Sequence, residues 1–189
     1  TPFYCYSSAT LERHYTVFAD ALSGLNAEVY FAIKANSNLG VLATLAAQGA
    51  GMDIVSIGEL KRVMAAGIPA SRTVFSGVGK SVDELREALA AGIHQINVES
   101  IPELKALSAV AVDMGMTAPI AIRVNPDVDA KTHAKITTGK SENKFGIAWE
   151  QAKAVFADAH AMPGLDVVGV AVHIGSQLTD LTPYRDAYT

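Results

Sequence analysis

Apolar and polar residues alternate along this chain in blocks of two kinds. Short, nearly continuous apolar runs begin near Tyr30, Met52, Val74, Ile96 and Ile120, the first four spaced by close to 22 residues. Runs this short, bounded by turn residues, are strand material. Between them lie helical patterns that stop at similar punctuation: Ala46-Ala47-Gln48-Gly49, Ala65-Ala66-Gly67 and Ala90-Ala91-Gly92. Each glycine stands where a helix closes in the left-handed conformation before the next strand. Strand–helix alternation at a fixed period predicts consecutive βα units and a parallel sheet.

The two ends of the pattern differ from its middle. Phe3-Tyr4-Cys5-Tyr6 reads as a short strand, followed by a helix over residues 9–22 that Ser7 or Ser8 can cap and Gly24 ends. Residues 127–146 are polar, rich in Lys, Thr and Gly, and too long for an ordinary βα connection. A helix over residues 149–160 then leads into Val167-Val168-Gly169-Val170-Ala171-Val172-His173, which makes six strands. An open doubly wound sheet announces its nucleotide site with a glycine-rich first turn. Here that turn is Lys34-Ala35-Asn36-Ser37-Asn38, and Gly77-Val78-Gly79-Lys80-Ser81 lacks the first glycine of a phosphate loop, with Val74 in its place. The short regular period therefore favours a (β/α)8 barrel of which about six strands are present, where a closed barrel has eight.

Composition narrows the class. The 189 residues suit one domain, half of them are apolar, and nothing reads as disordered. A net charge of −4 argues against a nucleic-acid partner or a polybasic membrane surface. Cys5 is the one cysteine, so an intrachain disulfide and a cysteine metal cluster are both ruled out, in keeping with a reducing, cytoplasmic setting. No apolar run reaches the length of a membrane span and no signal peptide opens the chain. The first residue is Thr and the last residues interrupt a helix start, so a piece of a longer protein is expected.

A barrel of this kind builds its site from the C-terminal ends of its strands. The residues expected there are Lys34, Ser56, Ser76, Asn97, Glu99, Arg123, Asn125, His173 and Ser176, with Asp53 one step deeper. Each alone has a plain explanation: a snorkelling lysine, a strand-end ion pair, a core histidine. An amine, acids, a guanidinium and an imidazole gathered at one rim point instead to an enzyme. The histidines, at 14, 94, 133, 160 and 173, are too scattered for a metal site or a Ser-His pair. A lysine at the end of an apolar strand suits imine chemistry. On residue chemistry alone a Schiff-base aldolase and a pyridoxal phosphate (PLP) enzyme both remain open.

The ordered motifs carry a resemblance. Phe31-Ala32-Ile33-Lys34-Ala35-Asn36 resembles the PLP-lysine motif of the alanine racemase-like, fold type III enzymes. Gly51-Met52-Asp53-Ile54-Val55-Ser56 with Gly58-Glu59-Leu60, Arg123-Val124-Asn125-Pro126-Asp127-Val128, and His173-Ile174-Gly175-Ser176-Gln177 are similar to the following motifs of their ornithine, diaminopimelate and arginine decarboxylase branch. Thr132-His133, Ile136-Thr137-Thr138-Gly139 and Glu142-Asn143-Lys144-Phe145-Gly146 are most similar to the members that act on diaminopimelate.

The resemblance implies a PLP-carrying (β/α)8 barrel over residues 8–189, with residues 1–7 a strand of an otherwise absent C-terminal β domain, working as a homodimer with sites near the interface. Lys34 would hold PLP covalently, His173 would stack on its ring, and Ser176 would contact its phosphate. Asp53 and Arg123 would lie in the inner shell of the cofactor site. The implied reaction is decarboxylation of meso-2,6-diaminopimelate to L-lysine, with no metal. Decarboxylation or racemisation of another amino acid, or a non-catalytic PLP-binding paralogue, are the alternatives. Lys131, His133, Lys135, Lys140 and Lys144 form either a solvated face or a substrate- or interface-contacting one. The family's glycine-rich phosphate loop, its Glu-Pro-Gly-Arg motif and its β domain have no counterpart in these residues. Alone, the chain is therefore expected to be inactive and poorly soluble.

Overall fold

The computed structural model describes residues 1–128 and 145–189. Its first five α-helices begin where the sequence supplies a side-chain acceptor for their first free amides. Ser7 opens α1 (Ser8–Ala21) by accepting from the Thr10 amide, and Asn38 opens α2 (Leu39–Ala47) by accepting from Gly40. Three further helices share one device, Ser-x-x-Glu: Ser56 before α3 (Ile57–Ala65), Ser81 before α4 (Val82–Ala90) and Ser100 before α5 (Ile101–Met114). In each the serine oxygen takes the amide of the glutamate three residues on, and the carboxylate also suits the positive helix N-terminus. Helices α6 (Trp149–Ala161) and α7 (Thr182–Tyr188) follow. Gly49, Gly67 and Gly92 all adopt positive φ, at 109°, 80° and 73°, as the helix-ending punctuation predicts.

Among the described residues seven strands form one parallel sheet: β1 (Tyr30–Ala32), β2 (Gly51–Ile54), β3 (Thr73–Phe75), β4 (Gln95–Val98), β5 (Ala118–Asn125), β6 (Ile147–Ala148) and β7 (Leu165–Ala171). Neighbours run β1-β2-β3-β4-β5 in chain order, and β7 lies on the far side of β5. The β5–β7 register carries one irregularity: Ile120 is level with Val167, but Ala121 is level with Gly169, leaving Val168 as an extra residue. Six strands match the apolar runs. The two residues of β6, paired with Val124 and Asn125, are too few to show a period in sequence. Strand β7 ends at Ala171 rather than at His173, level with Arg123 of β5.

Side-chain alternation sorts the sheet into two faces. Met52 and Ile54, Phe75, Ile96 and Val98, and Ile120 and Ile122 are all buried, in one cluster with Leu42, Leu60, Leu85, Leu104 and Leu107 of the helices. The intervening positions, Asp53, Val74, Gln95, Asn97, Ala121 and Arg123, belong to the other face by the same alternation. Parallel register therefore brings polar residues from several strands onto one face near their C-terminal ends.

Residues 1–7 do not form a strand here. They pair with no strand among the described residues. Phe3 and Tyr4 are 82 % and 89 % exposed, and the Tyr4 and Tyr6 rings stack on one another at 6.4 Å. No described helix is long and apolar enough to cross a membrane.

Two substitutions separate capping from packing. Leu60→Ala opens a cavity at a fully buried site and should cost about 2–5 kcal/mol in urea unfolding. Ser81→Ala removes the one complete capping box and should cost about 1 kcal/mol. A Ser81→Ala loss as large as that of Leu60→Ala would contradict this division.

Candidate active site

Strand β1 is followed at once by a short 3-10 turn, Ile33–Ala35. The turn buries Ile33 and leaves Lys34 exposed at the strand end. The sequence places Lys34 at the end of an apolar strand; the turn sets it two residues past that end. Asn36 and Asn38 shape the next residues. The Asn36 carboxamide oxygen accepts the Asn38 amide at 3.1 Å, and that of Asn38 accepts the Gly40 amide at 2.9 Å.

A belt of hydrogen bonds crosses β2, β3 and β4. Ser76 Oγ donates to Asp53 Oδ1 at 2.6 Å, Asn97 Nδ2 donates to Ser76 Oγ at 3.0 Å, and Gln95 Nε2 donates to Asn97 Oδ1 at 2.7 Å. Burial pushes the Asp53 carboxyl above its ordinary value; the Ser76 hydrogen bond and the Lys34 ammonium pull the other way, and Glu59 and Glu99 push it up.

Charge is concentrated one strand further on. Glu99, just past β4, is buried and pairs with Arg123 of β5, Nη1 to Oε2 at 2.5 Å. Glu99 Oε1 accepts the Gly77 amide at 2.6 Å. The Arg123 guanidinium carbon stands 5.7 Å from the centroid of the Phe145 ring, within cation–π range. Gly146, at φ 82°, lies so close over this strand that a Cβ there would stand 3.0 Å from the Arg123 carbonyl. Arg123 Nη2 is buried with no hydrogen-bond partner among the described residues. A buried guanidinium nitrogen with an empty donor position is costly unless an acceptor arrives.

His173 sits two residues beyond β7, exposed at the rim. Desolvation by the surrounding protein holds its imidazole below the ordinary value, and the nearby positive charges of Arg123 and Lys34 act in the same direction. Lys34 influences both Asp53 and His173, and so does Glu99. The structure thus brings Lys34, Asp53, Ser76, Asn97, Glu99, Arg123 and His173 into one site.

Other expected members have surroundings of a different kind. Ser56 is a helix cap, its hydroxyl occupied by the Glu59 amide. Asn125 is buried and its side-chain oxygen accepts the Asp127 amide at 3.0 Å. Ser176 is exposed in the segment between β7 and α7. The basic residues Lys131, His133, Lys135, Lys140 and Lys144 lie outside the described residues. Lys80 and Glu103 were missed. They form a buried ion pair at 2.8 Å beside this site, and the signal was the third Ser-x-x-Glu, whose carboxylate sits next to Glu99 in the fold.

Because His173 titrates below its unfolded value of about 6.5, the unfolded chain takes up the proton first as pH falls. Its contribution to stability is therefore present above about pH 6.5 and is lost as pH drops toward the folded value. An NMR titration should place the His173 midpoint below that of a free histidine, and Arg123→Met should move it upward. A midpoint unmoved by Arg123→Met would show that the guanidinium does not act on the ring.

Known proteins resemble this chain along nearly its whole length. The family described as pyridoxal-dependent decarboxylase, pyridoxal binding domain, matches residues 8–189. Diaminopimelate decarboxylase of Pseudomonas aeruginosa is 57 % identical over 187 residues, covering 99 % of this chain and 45 % of that protein. The Vibrio cholerae enzyme of the same name is 55 % identical over the same length and with the same coverage. The crystal structure of diaminopimelate decarboxylase from Helicobacter pylori complexed with L-lysine is 45 % identical with a TM-score of 0.96, over 99 % of this chain and 48 % of that one. The M. jannaschii diaminopimelate decarboxylase in complex with L-lysine is 38 % identical with a TM-score of 0.82, over 95 % of this chain and 42 % of that one. The chain spans about half the length of the curated relatives it matches. It belongs to the pyridoxal-dependent decarboxylases, as their pyridoxal-binding domain.

Proposed function

We propose that this chain is the cofactor-binding barrel portion of an enzyme that decarboxylates meso-2,6-diaminopimelate to L-lysine. The observation that carries the reading is the exposed Lys34 standing in electrostatic range of Asp53 and His173 at one rim, in a chain so similar to diaminopimelate decarboxylases along nearly its whole length.

The rim fits the cofactor on its own chemistry. Lys34 supplies an accessible amine for a Schiff base. Arg123 Nη2 is a buried donor waiting for an acceptor, which an anionic oxygen would supply. His173, biased toward the neutral form, is a flat ring that can lie against another without a second positive charge beside Lys34. When bound, PLP supplies an electron sink for the bond between Cα and the carboxylate.

Each residue then has a separate task. Lys34 would hold the cofactor covalently. His173 would cover one face of its ring, and Ser176 would contact its phosphate. Ser76 and Asn97 hold the Asp53 carboxyl in place, and its charge balances the lysine. Glu99 neutralises part of the Arg123 charge, so the guanidinium binds an anion without trapping it. Carbon dioxide leaves Cα and a proton takes its place on the same carbon. A glycine-rich phosphate loop, an acid for the pyridine nitrogen and a β domain would complete the site in a protein of the relatives' length. Residues 1–7 would pair with that domain, and two copies would meet near the site.

In the full-length protein, carbon dioxide release should be fastest from meso-diaminopimelate among diaminopimelate, lysine, ornithine and arginine. Borohydride should fix PLP on Lys34, and Lys34→Ala should abolish turnover. Faster release from ornithine or arginine would overturn the substrate, and a label on another lysine would overturn the site. Bound PLP with no release from any of the four would favour a non-catalytic paralogue.

A further inference from the structure

A second charged cluster lies beside the rim, and the proposed reaction makes no use of it. The Lys80 side chain is 0 % exposed. Its Nζ donates to the Gly77 carbonyl at 2.7 Å, the Asn97 carbonyl at 2.7 Å and Glu103 Oε1 at 2.8 Å. Those three bonds use all three N–H groups of the ammonium, which also stands 5.4 Å from the Phe75 ring centroid. Glu103 Oε2 accepts the Glu99 amide at 3.2 Å, and Glu99 Oε1 accepts the Gly77 amide at 2.6 Å. The four residues close a ring. Lys80 holds Gly77 by its carbonyl, Gly77 holds the Glu99 carboxylate by its amide, Glu99 holds Glu103 by its amide, and Glu103 holds Lys80. Arg123 hangs from the ring at the remaining oxygen of Glu99, 2.5 Å away.

Stability alone does not account for such a ring. A buried ion pair recovers little beyond its own desolvation, and apolar residues of the same volume often serve as well. The same molecule contains a plainer version. Glu59 follows Ser56 as Glu103 follows Ser100, and its carboxylate takes the amide just before the cap, that of Val55, with no buried lysine beside it. What Lys80 adds is restraint on both sides of Glu99. It anchors Glu103, which fixes the Glu99 backbone, and it anchors Gly77, which fixes one Glu99 oxygen. The other oxygen is left for Arg123. With the Glu99 side chain 1 % exposed, water does not relax this geometry.

We propose that Lys80, through its pair with Glu103, is a positioning residue that sets where Glu99, and hence the Arg123 guanidinium, stands to receive the cofactor. The proposal rests on the rim being a PLP site. It assigns to a residue remote from the reacting atoms a share of the cofactor affinity, not of the fold alone.

The test uses the full-length protein. PLP is titrated into apo wild type, Lys80→Met, Glu99→Gln, Glu103→Gln and the Lys80→Met/Glu99→Gln double variant, with the Tm of each apo protein measured alongside. Lys80→Met keeps the volume and removes the charge; it should raise the Kd for PLP about tenfold, the scale of one lost charge-assisted hydrogen bond, and lower the Tm, because Glu103 loses its buried partner. Glu99→Gln should lose a similar factor. The double variant should be no worse than the weaker single, because both act on one guanidinium. Glu103→Gln keeps the shape but can no longer accept on both oxygens, so it too should bind PLP more weakly while folding normally. A Lys80→Met Kd within about twofold of wild type, or losses that add in the double variant, would overturn the proposal. So would failure of both Lys80→Met and Glu103→Gln to fold, which would give the ring to the fold alone. Wild type that takes up no PLP on Lys34 would remove the rim reading and this proposal together; wild type that binds beside unaffected variants would remove only this proposal.

Discussion

A buried charge must be paired, and much of this site follows from where the chain meets that demand. Arg123 lies in the most extensively paired strand of the sheet, with β4 and β7 on its two sides and β6 at its end. Its guanidinium therefore has little access to water, and its compensation has to come from a neighbouring strand. Glu99 provides it. That choice then constrains Glu99, which is itself buried and needs further donors, found in the Gly77 amide and the Arg123 guanidinium. Satisfying one ion thus organises the ends of three successive strands. Nη2 of Arg123 is left over from that arrangement, a buried donor with no partner among the described residues.

The fold was legible because two periods agree. Apolar runs at close to 22-residue spacing gave the strands, and the glycines at 49, 67 and 92 closed the helices as read. Parallel register then made the rim legible too, since residues at the same step past each strand end come to one side. Asp53, Arg123 and His173 could be named for that reason. What could not be read is the pairing between side chains from different strands. Ser56 and Ser76 look alike in sequence, yet one caps a helix and the other holds Asp53. Lys80 looked like a remnant of a phosphate loop, and only the fold puts Glu103 beside it. Lys34 could be placed at the end of an apolar strand, but that a 3-10 turn carries it there depends on local backbone geometry that an apolar run does not encode.

The sheet also separates two kinds of requirement along the same few residues. Met52 and Ile54 serve the packing against the helices, while Asp53 between them serves the belt of hydrogen bonds with Ser76. Ile122 and Val124 stand in the same relation to Arg123. Packing tolerates exchange among apolar side chains of similar volume. The intervening positions do not, because each one's partner is a specific atom at hydrogen-bond distance.

The extra residue Val168 gives β7 a property that no side chain supplies. Before it, β7 residues stand 47 positions on from their β5 partners, as Leu165 from Ala118; after it they stand 48 on, as Ala171 from Arg123. His173 comes two residues after Ala171, just as Asn125 comes two after Arg123, so the irregularity sets how far along the rim the imidazole arrives. The length of this segment is thus a coded quantity in its own right. Losing a single codon anywhere from 165 to 171 would leave the strand equally apolar, yet would slide the histidine one step along β5 and turn it toward the wrong side of the sheet.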